Sequence, residues 1–210
     1  MAPIRWRLRA AAIGSVVVCV LNFSAPTVSH AQVTDLLTAP KTLIDRAIEA
    51  RSLADIKRDN DIVLKVNQAM ADAGSVKAST EIYEQRLLVT GLFDDKDTFD
   101  KFTKAVKAIK GVKRLYWQVT YLSSADQDAR RKAGTMMDWA DALAMETKAK
   151  GRLMGAAGVA DVNFRIAGDA FGTLCLLGRA RSKDEADKAI ARIKDGEGVK
   201  KVVSYVEVRP

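Results

Sequence analysis

The sequence predicts an α+β fold of the α/β sandwich type: two tandem αββαβ modules, each a small mixed three-stranded sheet with two helices on one face. Three observations carry this. Leu87-Leu88-Val89-Thr90-Gly91 is matched 87 residues later by Leu174-Cys175-Leu176-Leu177-Gly178, and both are β-like apolar runs closing on glycine. Gly91 to Gly111 spans the same 20 residues as Gly178 to Gly198, with Val112 and Val199 following the second glycines. Between the glycines, each copy carries a charged segment with one apolar helical face.

The elements follow in order. Ile62, Val66 and Met70 recur every four residues, predicting a helix over 58–73 closed by Gly74. Val76, Ala78, Thr80 and Ile82 read as a strand that turns weakly at Glu84-Gln85 into 86–90. Asp94, Asp95 and Asp97 then open a helix whose later half holds Lys104, Lys107 and Lys110, the arrangement the helix dipole favours. Phe99, Phe102, Val106 and Ile109 form its buried face and Gly111 ends it. A strand carries Val112, Leu115, Trp117, Val119 and Tyr121. In the second copy Met145, Ala149 and Leu153 take the first-helix role, with a stop near Gly158. A strand over 161–166 meets a clear turn at Gly168-Asp169. Ser182 is the expected N-cap of the last helix, with Ala186, Ala189, Ile190 and Ile193 inward in a thinner core. Val199, Val202, Val203, Val206 and Val208 form the final strand; broken alternation at Tyr116 and Val203 implies either a bulge or burial on both faces.

The N-terminus reads as an export signal. Arg5, Arg7 and Arg9 precede an apolar run of about 14 residues, short of the roughly 20 needed to span a bilayer, and Ser29-His30-Ala31 ends it as a small-x-small cleavage site. The alternatives are an uncleaved anchor, and acylation at Cys19, where Val18 departs from the small residue such sites want. Cleavage after Ala31 removes the single histidine and leaves Cys175 as the one cysteine, so no His-based catalytic triad and no His/Cys zinc site can form. An enzyme, a cofactor, a metal and a small-molecule substrate are not expected. Cys175, flanked by Leu174, Leu176 and Leu177, is expected to be buried. Losing three arginines and no acids lowers the formal charge from +8 to +5. That mild basicity suits acidic partners; nucleic acid is disfavoured by export and by the lack of an aromatic stacking platform.

The organisation expected is therefore a signal over 1–31, an amphipathic helical segment over 32–56 docking on the first module, module 1 over 57–122, a polar linker or exposed helix over 123–137, and module 2 over 138–210. Ile62, Val66, Met70, Leu88, Gly91, Gly111, Val112 and Val119, with Met145, Ala149, Leu153, Leu176, Gly178, Gly198, Val199 and Val206, give a pattern that resembles the BON domain of bacterial osmotically induced and nodulation proteins. Two copies behind a signal look like periplasmic dual-BON proteins. The resemblance implies envelope integrity under stress, with members that touch anionic phospholipid through the second domain and others that assist outer-membrane proteins. It implies a periplasmic protein, peripheral to the outer membrane, with an anionic phospholipid surface or envelope proteins as partners.

The residues suited to such a surface are Trp139, Lys148, Lys150, Arg152, Lys188 and Arg192, cations beside an indole and Met136-Met137. The plainer reading, solvated lysine faces and a Trp139 that packs the linker against a module, carries more weight from sequence. A chaperone or scaffold for envelope proteins is the other function class.

Overall fold

The structure is a computed structural model and describes residues 49–74 and 77–210. The expected signal, its cleavage site, Cys19 and most of the 32–56 segment lie outside them. Two modules repeat one order of elements. Module 1 comprises α1 (Leu53–Ala73), β1 (Lys77–Tyr83), β2 (Arg86–Phe93), α2 (Lys96–Lys107) and β3 (Arg114–Tyr121). After α3 (Ser124–Lys132), module 2 comprises α4 (Trp139–Met154), β4 (Phe164–Gly168), β5 (Thr173–Ala180), α5 (Lys183–Lys194) and β6 (Lys201–Val208). In each sheet the central strand pairs antiparallel with the first and parallel with the last. The two-module α+β architecture read from the sequence is the one observed.

The 87-residue offset holds for whole elements: β2 and β5, α2 and α5, and β3 and β6 begin and end at equivalent positions. It extends to the first helices in a register the sequence reading missed. The matched buried positions are Asp59 with Glu146, Ile62 with Ala149 and Val66 with Leu153. The repeat glycines of the central strands are required by close approach. A Cβ on Gly178 would stand 2.2 Å from the Asn163 carbonyl oxygen, and one on Gly91 2.9 Å from that of Lys77.

Several boundaries differ from the sequence expectation. Leu53 to Ile56 begin α1 rather than ending a separate helix, because the Ser52 hydroxyl caps it by accepting the Asp55 N–H at 3.0 Å. Helix α2 ends at Lys107, with Gly111 in the turn beyond it at φ +93°. Helix α4 stops at Met154 and Gly155, earlier than Gly158, and residues Asp161–Asn163 form a 3₁₀ turn before β4. The polar segment between modules holds α3, capped by Ser123 and anchored by buried Gln127, whose amide donates to the Leu122 carbonyl at 3.0 Å.

Each sheet has helices on one face only. Ile62, Val66, Leu87, Val89, Phe102 and Val106 fill the core of module 1, and Met145, Ala149, Leu174, Leu176, Ala189 and Ile193 that of module 2. The free faces of the two sheets pack against each other through Tyr83, Leu88, Ala167, Cys175 and Leu177, with Tyr116, Val203 and Tyr205 alongside. The layers therefore run helices, sheet, sheet, helices. This explains the broken alternation: Tyr116 and Val203 pack in the seam, while Leu115, Trp117 and Val202 pack on the helix side, so both strands carry apolar residues on two faces. Cys175 is buried in the seam, as its apolar neighbours imply.

The seam is also polar at chosen points. Arg86 donates to the carbonyls of Gly178 at 2.8 Å and Tyr205 at 3.1 Å. Tyr83 donates to Asn163 at 2.9 Å, and the Tyr116 and Tyr205 rings stack with centroids 4.0 Å apart. The Gly178 and Tyr205 carbonyls and the Tyr83 hydroxyl thereby find partners across the seam, which avoids the cost of leaving them unpaired.

Candidate functional site

The six cations and aromatics expected at a contact surface are divided by the fold. Trp139 opens α4 half-buried, packed on a cluster of Leu92, Met136 and Ala170 with Leu122 and Phe171. It therefore joins the connecting segment to both modules. Lys150 is partly buried, its ammonium 2.7 Å from Glu81 of module 1 and 2.8 Å from Glu146. Burial alone would lower its pKa, but the two carboxylates outweigh that and hold it above the ordinary lysine value. Lys148 pairs with Glu197 at 2.9 Å, and Lys188 with Asp184 at 2.7 Å. The Lys148 ammonium in turn keeps the Glu197 carboxyl below its usual range. Arg192 donates to the Arg152 carbonyl at 3.3 Å, while the Arg152 guanidinium lies against Gly196, with Nη1 buried and unbonded.

The surface these residues border is the outward face of α4. The helix forms because Ala142, Met145, Ala149 and Leu153 repeat at helical spacing and bury one side on the module 2 sheet. Its opposite side carries Ala140, Leu143, Ala144, Thr147, Gly151 and Met154, all exposed. Leu143 is 40% exposed and Met154 57%, two of the few large apolar side chains left in solvent. Their separation of 11 positions places the two about 16 Å apart along one helix line. Thr147, the polar member, donates its hydroxyl to the Leu143 carbonyl at 2.9 Å, which satisfies it within the helix. Lys148 flanks this strip on one side.

Sequence reasoning named Lys148 and missed the apolar strip beside it. The signal was present: once Met145, Ala149 and Leu153 are assigned inward, Leu143, Thr147, Gly151 and Met154 fall on the opposite side. Such a strip, uncharged and with Lys148 beside it, can dip into the headgroup boundary of a bilayer without burying a charge. No described helix is long and apolar enough to cross a membrane. Among the described residues no group of three or more His, Cys, Asp or Glu is placed to hold a metal ion.

Residues 141–210, which hold most of module 2, match the BON domain. The chain is also similar to a protein of Anaplasma centrale described as "Uncharacterized protein in gshII 5'region", 29% identical over 154 residues that cover 72% of this chain and 95% of that one. Two solved structures of CdsD, a structural protein of the type III secretion system of Chlamydia trachomatis, align with 71% of this chain at 11% and 13% identity. They are covered over 93% and 98% of their lengths, with a TM-score of 0.28 in both cases.

Proposed function

We propose that this is a periplasmic dual-BON protein that supports envelope integrity by resting the outward face of α4 on anionic phospholipid. Module 1 is then a divergent BON copy, a reading supported by the gapless 87-residue register and the shared strand order. The observation that carries the lipid reading is the uncharged strip from Leu143 to Met154, exposed on a helix that also presents Lys148 beside it. Arg152, Lys188 and Arg192 supply further positive charge at its margin, and Trp139 fixes the start of the helix rather than entering the lipid.

The energetic scale is modest. Burying two such side chains in the interface contributes about 2–3 kcal/mol, and each cation near an anionic surface about 1 kcal/mol. Binding of that size is reversible and sensitive to salt. The test is co-sedimentation of the chain from Gln32 onward with neutral and with phosphatidylglycerol-rich vesicles at low and high salt. Pelleting with the anionic vesicles alone, weakened by salt and reduced about tenfold in affinity by the L143S/M154S double substitution, is the expected result. No pelleting at any salt would overturn the lipid reading and favour the alternative, a chaperone or scaffold for outer-membrane proteins.

A further inference from the structure

The two outer helix layers face away from each other, and the one on module 1 carries a charge pattern that module 2 lacks. At the end of α2 and the start of β3, Lys104, Lys107, Lys110, Lys113 and Arg114 are all exposed. Among the described residues none of the five has an ion-pair partner, whereas Lys96, at the opposite end of the helix, pairs with Asp100. The helix acids gather at that opposite end, where Asp95 caps the chain by accepting the Thr98 N–H at 2.7 Å. The nearest seam acids are engaged as well: Glu84 by Arg209, and Glu207 by Arg86 and Arg209.

Helix-dipole complementation accounts for Lys104 and Lys107 in the last turn. It does not account for Lys110, Lys113 and Arg114, which lie beyond the helix. The equivalent positions of module 2 are Ala191, Lys194, Glu197, Lys200 and Lys201, so one cation is lost there and another is replaced by the acid that pairs with Lys148. Two members of the module 1 patch rest over aromatic rings, Lys107 over Trp117 at 5.8 Å and Arg114 over Tyr116 at 5.9 Å, which holds their stems against the protein and their charges at its edge.

We propose that this patch is a second anionic-surface contact and that one chain bridges two anionic bilayers, α4 resting on one and the α2 end on the other. The occupant is a bilayer because the patch lies on an exposed helix end and the turn beyond it and is built mainly of lysines, which suit a delocalised field of headgroups. Bridging rests on the α4 reading given above, and it goes beyond it by adding a second face and a tethering role.

The experiment compares pelleting with vesicle clustering, followed by light scattering, for the chain from Gln32 onward with phosphatidylglycerol-rich vesicles. The wild-type chain pellets and clusters the vesicles, and added salt disperses them. The variant K104Q/K110Q/K113Q, which leaves the Lys107–Trp117 contact intact, still pellets but clusters at least fivefold less; its circular dichroism and melting curve match the wild type. The L143S/M154S variant also loses clustering. Wild-type protein that pellets without clustering overturns the bridge while sparing the α4 contact. Unchanged clustering by the triple lysine variant overturns it too, since bridging would then arise from self-association. Failure of the α4 reading looks different: either the wild type does not pellet or L143S/M154S pellets as the wild type does.

Discussion

The two modules share strand order, register and a buried carboxylate on the first helix, yet they stabilise the common fold by different means. Module 1 has an aromatic core: Phe93 stacks on Phe102 with centroids 5.3 Å apart, and Phe102 lies 5.8 Å from Trp117. The position equivalent to Phe102 in module 2 is Ala189, packed with Ala149 and Ala186 around Met145 and Ile193. One architecture is therefore compatible with an aromatic stack between helix and sheet or with alanines on the helices and larger aliphatic residues on the strands. The buried face of the repeat is a volume constraint, and the individual residues are exchangeable only with compensation.

The hairpins differ in the same way. The Glu84-Gln85 turn of module 1 places two ordinary residues at positive φ, +53° and +64°, the geometry of a tight two-residue hairpin that normally takes Asn or Gly. Asp59 makes it possible. Its carboxylate accepts the N–H groups of Glu84 at 2.9 Å and Gln85 at 2.6 Å and the Gln85 amide at 2.8 Å, and pairs with Arg51 at 3.0 Å. Module 2 uses a longer turn tied by its own Asp169, which accepts from Phe171 and Thr173 at 2.8 Å each. Glu146, the counterpart of Asp59, needs only to accept the Gly168 N–H at 2.9 Å. Turn chemistry is local in module 2 and borrowed from a helix in module 1.

This contrast can be broken at its strongest point first. Phe102→Ala should cost about 4 kcal/mol, the usual range for emptying a buried aromatic site, while Ala189→Phe in module 2 should cost about 1–3 kcal/mol through overpacking. Urea unfolding of the two variants checks both values, and equal small losses would contradict the difference in cores. Asp59→Ala comes next, at about 3 kcal/mol, because it strands buried donors and removes one partner of Arg51. The matched Glu146→Ala should cost less at the hairpin, and hydrogen exchange separates the two. The Glu84 and Gln85 amides lose protection in the first variant, and the Gly168 amide in the second.

Much of this was legible in the sequence, for physical reasons that can be stated residue by residue. Gly91 and Gly178 mark sites where a neighbouring strand leaves no room for a Cβ, so the repeat register was visible as glycine spacing. Tyr116 and Val203 broke the alternation because each strand carries apolar residues on two faces. Asp59 and Glu146 were not legible, since a single acid on a helix ordinarily faces solvent and its turn partners lie about 25 residues away for Asp59 and 22 for Glu146. Lys150 was assigned to the surface for the same reason; its partner Glu81 belongs to the other module. The strip on α4 was overlooked because small residues carry little hydrophobic signal, and only their common exposure reveals the face.

The contacts proposed here lie on the outer faces of α4 and α2 because the inner sheet faces are closed against each other, and Cys175 reports that closure. Burial pushes its thiol up to about 12, with Asp169 adding to the shift. The stability this contributes is present below the unfolded thiol value of about 8.5 and is lost as pH rises toward the folded one. The direct measurement is alkylation of Cys175 at pH 8 in the chain from Gln32 onward, without denaturant and across a urea series. Closed modules predict labelling only at the rate of global unfolding, with full labelling in urea. Rapid labelling of the native chain with an ordinary thiol pKa would contradict the stacked arrangement and reopen the inner sheet faces as binding surfaces.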